Sequence, residues 1–136
     1  MIIWLRYIDG VFFIWKGDIK SAKAFIEHIN HTNLKFTANI DKEKVDFLDT
    51  IVYVKEGKLQ TKKYRKPTAG NMILHASSFH PANQINSIPY GECLRIKRNC
   101  SENTVMEEET QKLTALFAER GYKKETLQQA VFKSSK

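Results

Sequence analysis

The first half of the fold is decided by the stretch IIWLRYIDGVFFIW, which occupies residues 2–15. Apolar, β-branched and aromatic residues lie on both sides of an Asp9-Gly10 pair. Residues of these types favour strands, and Asp-Gly between two such runs is the strongest short-range pattern for a hairpin with a type I′ turn. The sequence therefore predicts a tight β-hairpin at residues 2–15, with Asp9 and Gly10 at its tip.

The residues after this hairpin predict one helix and three more strands. Asp18 can cap a helix whose apolar residues recur at helical spacing and whose end falls near residues 30–33. Three later stretches have the apolar patterns of strands, with a Glu56-Gly57 turn between the last two; they lie at 34–38, 47–54 and 58–64. The first half is thus predicted to be ββαβββ, a mostly antiparallel sheet with its helix on one face, in the α+β class.

The second half is predicted to be helical. Residues 67–88 are rich in proline, glycine, asparagine and serine, which is typical of a connector. Pro89 is suited to a first helical turn, and apolar spacing predicts helices from there to Asn99, over 104–120, and after Lys123. We therefore expect a partial sheet domain at 1–66, a connector at 67–88 and a three-helix, helix-turn-helix-like bundle at 89–136.

The net charge of +7 is unevenly distributed. Residues 1–56 and 99–136 each hold equal numbers of acidic and basic side chains, whereas residues 57–98 hold eight basic side chains against Glu92 alone. A local excess of cations interleaved with aromatic residues favours DNA or RNA as a partner, although a solvated basic face has the same composition. The candidate phosphate-binding residues are Lys62, Lys63, Arg65, Lys66, Arg95, Lys97 and Arg98.

Several other classes of protein are not favoured. No apolar run approaches the ~18–20 residues of a membrane helix, and the apolar start lacks the pattern of a signal peptide. Two cysteines seven residues apart in one predicted helix cannot form a disulfide, so an intracellular location, nuclear or cytoplasmic, is expected. The one candidate zinc quartet lacks the close cysteine pair of structural sites, and its members are more simply buried or loop residues: His75, His80, Cys93 and Cys100.

The tetrapeptide Tyr7-Ile8-Asp9-Gly10, with WLR before it and VFFIW after it, resembles the catalytic hairpin of reverse transcriptases. The pattern of that hairpin is an aromatic residue, any residue and then two aspartates. Three later stretches resemble Penelope-like retroelement reverse transcriptases. They are KFTANIDKEKVDFLDTIVYVKEGKLQTKKYRKPTAGN, LHASSFHP and SIPYGECLRIKRNCS. The resemblance extends over about residues 3–132, and it implies the end of a polymerase palm followed by a thumb-like or helix-turn-helix region.

The resemblance also implies roles for hairpin residues. Asp9 corresponds to a ligand of the catalytic Mg²⁺ ions, and Tyr7 to the aromatic residue that supports them; the partner would be a primer-template of DNA or RNA. Gly10 stands where the family has its second aspartate, and the strand with the other metal-binding aspartate would precede Met1. We therefore expect a fragment of an RNA-directed DNA polymerase without catalysis of its own.

Three alternatives to a polymerase fragment with a vestigial metal site stay open. Asp9 and Gly10 also suit a turn that needs no metal. The chain as a whole could equally be a small helix-turn-helix nucleic-acid-binding module without enzymatic activity, or the product of a decayed retroelement reading frame.

Overall fold

A computed structural model of the chain describes residues 1–30 and 33–136. It confirms the α+β class, with two small antiparallel sheets and four helices in the described residues. The elements in chain order are β1 (Ile3–Tyr7), β2 (Gly10–Ile14), α1 (Ile19–Ile29), β3 (Lys44–Phe47), β4 (Thr50–Lys55), β5 (Lys58–Lys63), α2 (Ala82–Asn99), α3 (Asn103–Glu119) and α4 (Lys124–Ser135).

The first hairpin is confirmed, but its tip lies one residue earlier than predicted. Tyr7 pairs with Gly10, so Ile8 and Asp9 form the turn and Gly10 begins β2. Ile8 takes the left-handed conformation, with φ at +53°, whereas Gly10 does not. The type I′ turn predicted at Asp9-Gly10 is therefore wrong. Gly10 instead allows a close approach of the Phe47 ring, because a Cβ at this position would lie only 3.3 Å from that ring.

The helix α1 begins where the sequence predicts. Asp18 caps it, with its carboxylate accepting from the backbone N–H of Ser21 at 3.0 Å. Phe25 of this helix packs against Trp15 and, edge to face, against Trp4 of the hairpin. These rings join α1 to one face of the hairpin. The helix ends at Ile29, and residues 31 and 32 of its predicted end lie outside the described residues.

The strand predicted at 34–38 is wrong, and one side chain explains why. Asn30 accepts from the backbone N–H of Phe36 at 2.6 Å and donates its amide to the Phe36 carbonyl at 3.1 Å. Both backbone groups of Phe36 are thereby satisfied without a neighbouring strand. The sequence pattern alternates as a strand does, but the segment has no ladder to join.

The continuous strand predicted at 47–54 is divided in two. Leu48, with φ at +56°, and Asp49 form a two-residue turn that separates β3 from β4. The predicted turn at Glu56-Gly57 is confirmed, and both of its residues have positive φ. The strands after α1 form their own sheet in the order β3-β4-β5, so the predicted single sheet is two sheets.

The three predicted helices of the second half are confirmed, with one changed boundary. α2 begins at Ala82, inside the predicted connector, and Pro89 lies in its interior rather than in its first turn. An interior proline costs a helix one backbone hydrogen bond. Pro89 is fully buried in the bundle, which offsets that cost. None of the helices in residues 1–30 and 33–136 is both long enough and apolar enough to cross a membrane.

The buried core of the described residues lies among the helices. Phe117 and Ile96 are almost fully buried, whereas every residue of β1 is exposed. α4 packs mainly on α2, and the sheet of β3 to β5 contacts α2 and α3. The other members of the core cluster are Ile85, Cys93, Leu113, Tyr122 and Leu127.

Candidate nucleic-acid interface

Two of the predicted phosphate-binding cations are paired with carboxylates of the chain itself. Lys63 forms an ion pair with Glu92, and its side chain is only 11% exposed. Arg95 bonds Glu92 at 3.0 Å and Asp49 at 2.9 Å. We call these four residues the docking network, because they join β5 and the β3–β4 turn to α2. A phosphate would have to compete with two carboxylates for these cations.

The ionisation of the docking network follows from its ion pairs. Burial alone would raise the pKa of Glu92, but its bonds to Lys63 and Arg95 outweigh that effect and hold the pKa below its ordinary value. Asp49 has a lowered pKa for the same reason, through Arg95 and Asn99. The pKa of Arg95 is raised by its bonds to both carboxylates. Glu92, Asp49 and Arg95 are therefore charged at neutral pH.

A second group of contacts covers the turn between α2 and α3. Glu102 accepts from Lys55 at 2.8 Å and from the Tyr53 hydroxyl at 3.1 Å. Ser101 exchanges bonds with the backbone of Thr61 in β5, donating its N–H at 3.0 Å and accepting at 2.9 Å. The turn at residues 100–102 is thus bonded to the sheet on one side.

The other predicted cations are distributed between internal contacts and solvent. Lys97 donates to the Ser134 carbonyl at the end of α4, at 3.0 Å, where the helix dipole favours a cation. Lys62 lies 5.7 Å from the centre of the Tyr53 ring. Three cations are exposed and have no ion-pair or hydrogen-bond partner for their side chains within residues 1–30 and 33–136; they are Arg65, Lys66 and Arg98.

The predicted catalytic residues lie at the tip of the first hairpin. Asp9 is exposed, and Tyr7 is 57% exposed. The part of the chain that the structure describes has no group of three histidine, cysteine or acidic side chains that could hold a metal ion. The residues present therefore do not fit a two-metal magnesium site, nor do they form the candidate zinc quartet. Cys93 and Cys100 are both free, as predicted.

A different surface is built around the turn between α3 and α4. Gly121 has φ at +79°, and a Cβ there would lie 3.3 Å from the His75 ring. Tyr122 packs edge to face on Phe117, with ring centres 4.8 Å apart, and donates its hydroxyl to the Leu74 carbonyl at 3.0 Å. The turn at residues 120–123 is therefore held rigidly between the core and the segment before α2.

This turn leads into α4, which has one buried and one open face. Leu127, Ala130 and Ser134 are buried against the bundle. The opposite face is open to solvent, and in the described part of the chain none of its charged or amide side chains has an ion-pair or hydrogen-bond partner. We call it the open face of α4; its residues are Lys124, Glu125, Gln128, Gln129, Phe132 and Lys133.

Comparison with known families points to the same part of the chain. Residues 72–131 match the family model of the animal helix-turn-helix domain. The match begins inside the predicted connector and includes α2, α3 and most of α4, which is less than half of the chain. No curated protein and no solved structure was found to match. The resemblance of the first half to reverse transcriptases therefore stays a prediction.

The sequence reasoning missed the open face of the helix-turn-helix domain because it averaged charge over too long a window. Residues 99–136 are neutral as a whole, yet residues 120–136 contain five basic side chains and only Glu125 as an acid. The other acids of this region lie in α3 or just before it. Counting charge helix by helix, beside the Gly121 turn, would have found this surface.

The docking network predicts an acid-sensitive fold. The pKa values of Glu92 and Asp49 are lowered in the folded chain. These two carboxylates therefore stabilise the fold above about pH 4, and their contribution is lost as the pH falls below that value. Glu92→Gln should lower the free energy of unfolding at pH 7 by about 1–3 kcal/mol, because it leaves the nearly buried Lys63 without its anion. In this variant the free energy of unfolding should also fall less steeply as the pH is lowered below about 4. Urea denaturation followed by circular dichroism, repeated across pH, measures both effects.

The matched control is Glu109→Gln, since Glu109 pairs with Lys112 one turn away on the same helix. The Lys112 side chain is 66% exposed, and local helical pairs of this kind contribute only about 0.3–0.5 kcal/mol, so this variant should unfold almost like the parent. If parent and Glu92→Gln have the same free energy of unfolding at pH 7 and the same loss of stability in acid, the role given to the docking network is contradicted.

Proposed function

We propose that the helix-turn-helix domain binds double-stranded DNA, with α4 lying against the major groove. The observation that carries this proposal is the open face of α4, which follows the Gly121 turn and keeps polar and cationic side chains without internal partners. In helix-turn-helix proteins the second helix of the motif lies in the major groove, where its side chains reach the base edges. We assign this role to α4, which follows the turn at residues 120–123.

The choice between two turns supports α4 rather than α3 as the DNA-facing helix. The turn at 100–102 is bonded to β4 and β5 through Ser101 and Glu102. The turn at 120–123 has four residues, includes glycine, and is held from behind by His75 and Leu74. A duplex can therefore approach the second turn without displacing the sheet.

The charges on α4 support a phosphate contact at each end of the helix. Lys123 and Lys124 stand at its N-terminus, where the helix dipole disfavours cations by roughly 0.3–1 kcal/mol. A phosphate beside them would relieve that repulsion. Lys133 lies two and a half turns further along, at the opposite edge of the open face. Two phosphate contacts at this separation would hold the helix along the groove.

Replacing Lys124 and Lys133 by glutamine should weaken duplex binding several-fold. Each lost phosphate contact should also reduce the slope of log K against log salt by about 0.9, because fewer counterions are released on binding. Fluorescence anisotropy with a labelled duplex, titrated at several salt concentrations, gives affinity and slope together.

The matched control removes two positive charges elsewhere. Lys20 and Lys23 are exposed on α1, which packs on the first hairpin, and their replacement by glutamine should change affinity little. Replacing Arg65 and Lys66 tests the predicted basic segment, and we expect a smaller loss than for α4. Unchanged affinity and slope for the Lys124 and Lys133 variant would contradict the proposed interface.

We further propose, from the resemblance, that the chain derives from a retroelement RNA-directed DNA polymerase and lacks its activity. This proposal rests on the sequence resemblance. Tyr7 and Asp9 lie at the tip of a β-hairpin, where the resemblance expects the metal-binding motif. The free cysteines suit an intracellular role for such a protein, in the nucleus or the cytoplasm.

The purified chain should not extend a primer on RNA or DNA in the presence of Mg²⁺ and nucleotides. Nucleotidyl transfer needs two metal ions held together, and Asp9 supplies one carboxylate with no metal-binding cluster around it in the described residues. Gel analysis of a labelled primer is the measurement. Extension that disappears in Asp9→Ala would contradict the expectation and would identify an active polymerase.

A further inference from the structure

The open face of α4 carries two neighbouring amides with free hydrogen-bonding groups. Gln128 and Gln129 are exposed, and neither side chain bonds another group within the residues that the structure describes. A glutamine amide presents a donor and an acceptor side by side. That pair matches the N6 donor and N7 acceptor of adenine in the major groove, and it does not match guanine, which offers two acceptors there.

An exposed phenylalanine lies on the same face, one turn further along. Phe132 is 62% exposed, although it belongs to a helix whose apolar residues are otherwise buried or half-buried. Lys136 lies over its ring, with the ammonium 4.6 Å from the ring centre, and keeps a positive charge beside it. The thymine methyl group is the apolar group that base pairs present in the major groove, and a phenylalanine can pack on it.

The spacing of these residues fits adjacent base pairs. Phe132 follows Gln128 by four residues and Gln129 by three, so all three lie on neighbouring positions of one helix face. Four residues correspond to a rise of ~6 Å, which is close to two steps of ~3.4 Å along the duplex. An adenine contact and a thymine contact one or two base pairs apart can therefore be made at the same time.

Arginine, a common reader of guanine, is absent from α4, and the two lysines that could also bind guanine lie at the edges of the open face. Lys124 and Lys133 flank the amides and are placed for phosphates. Glu125 lies in the first turn, where the helix dipole stabilises its carboxylate.

We propose that α4 selects A·T base pairs in the major groove, with Gln128 and Gln129 bonding adenine and Phe132 packing on the thymine methyl group. This specificity rests on the DNA-binding function proposed above, and it goes further by naming the bases and the residues that contact them.

Binding to duplexes with single-group changes tests the proposal. On an A·T-rich duplex, replacing thymidine by deoxyuridine removes only the methyl group and should weaken the parent about three- to fivefold. Replacing adenine by 7-deazaadenine removes the N7 acceptor and should weaken it about fivefold or more. A G·C-rich duplex of equal length should bind more weakly than the A·T-rich one. Anisotropy titrations of the full chain at one fixed salt concentration give these ratios.

Variants assign each effect to its residue. Phe132→Ala should lose its sensitivity to deoxyuridine, and the double variant Gln128→Ala, Gln129→Ala should lose its sensitivity to 7-deazaadenine. Met72→Ala is the matched apolar truncation, since Met72 is highly exposed but lies before α2, and it should keep both sensitivities. Circular dichroism confirms that each variant is folded. Because parent and variant are compared on the same duplex, any change in DNA shape cancels.

The outcomes separate the two proposals. A parent that binds duplex DNA in a Lys124- and Lys133-dependent way, but with equal affinity for A·T-rich, G·C-rich and deoxyuridine duplexes, would overturn the base preference and leave the DNA-binding function standing. A parent that binds no duplex would overturn both. Sensitivities that persist in Phe132→Ala and in the glutamine variant would overturn the assignment of these residues.

Discussion

The carboxylate of Glu92 bonds both Lys63 of β5 and Arg95 of α2, and much of the arrangement of this chain depends on that one group. It fixes the three-stranded sheet against the helices, and with Asp49 it neutralises two cations that the sequence offers to a partner. Lys63 is nearly buried and needs an anion nearby, so this network stabilises the docked sheet together with the contacts of Ser101 and Glu102. The basic segment 57–98 therefore stabilises the fold through Lys63 and Arg95, in addition to any contact that it makes with a ligand.

The docked sheet determines which surface of the helix-turn-helix domain stays open. Ser101 and Glu102 are bonded to β5 and β4, so the first turn of the domain has the sheet beside it. Lys97 ties α2 to the last turn of α4, whose apolar face is buried in the same core. The open face of α4 remains, with its rigid turn on one side. The packing of the helices thus has two results: the sheet lies beside the turn at residues 100–102, and the open face of α4 stays exposed to solvent.

Features with local causes were predictable from the sequence, whereas features that depend on distant residues were not. The first hairpin, the Asp18 cap and the Glu56-Gly57 turn each depend on a few neighbouring residues, and each is present. The separation of the sheets depends on contacts between residues distant in the chain, and Lys63 finds its anion 29 residues away at Glu92. The open face of α4 was hidden because the acids of α3 cancel its charge in a simple count.

Hydroxyl-radical footprinting of the protein with and without duplex DNA tests most directly whether the open face of α4 is the nucleic-acid surface. Phe132 on α4 and Leu59 on β5 are exposed to similar extents, so both report solvent access in the free chain. On adding a saturating duplex we expect Phe132 to become protected from oxidation and Leu59 to stay unchanged. Protection of Leu59 with no change at Phe132 would contradict this account and would place the nucleic acid on the sheet.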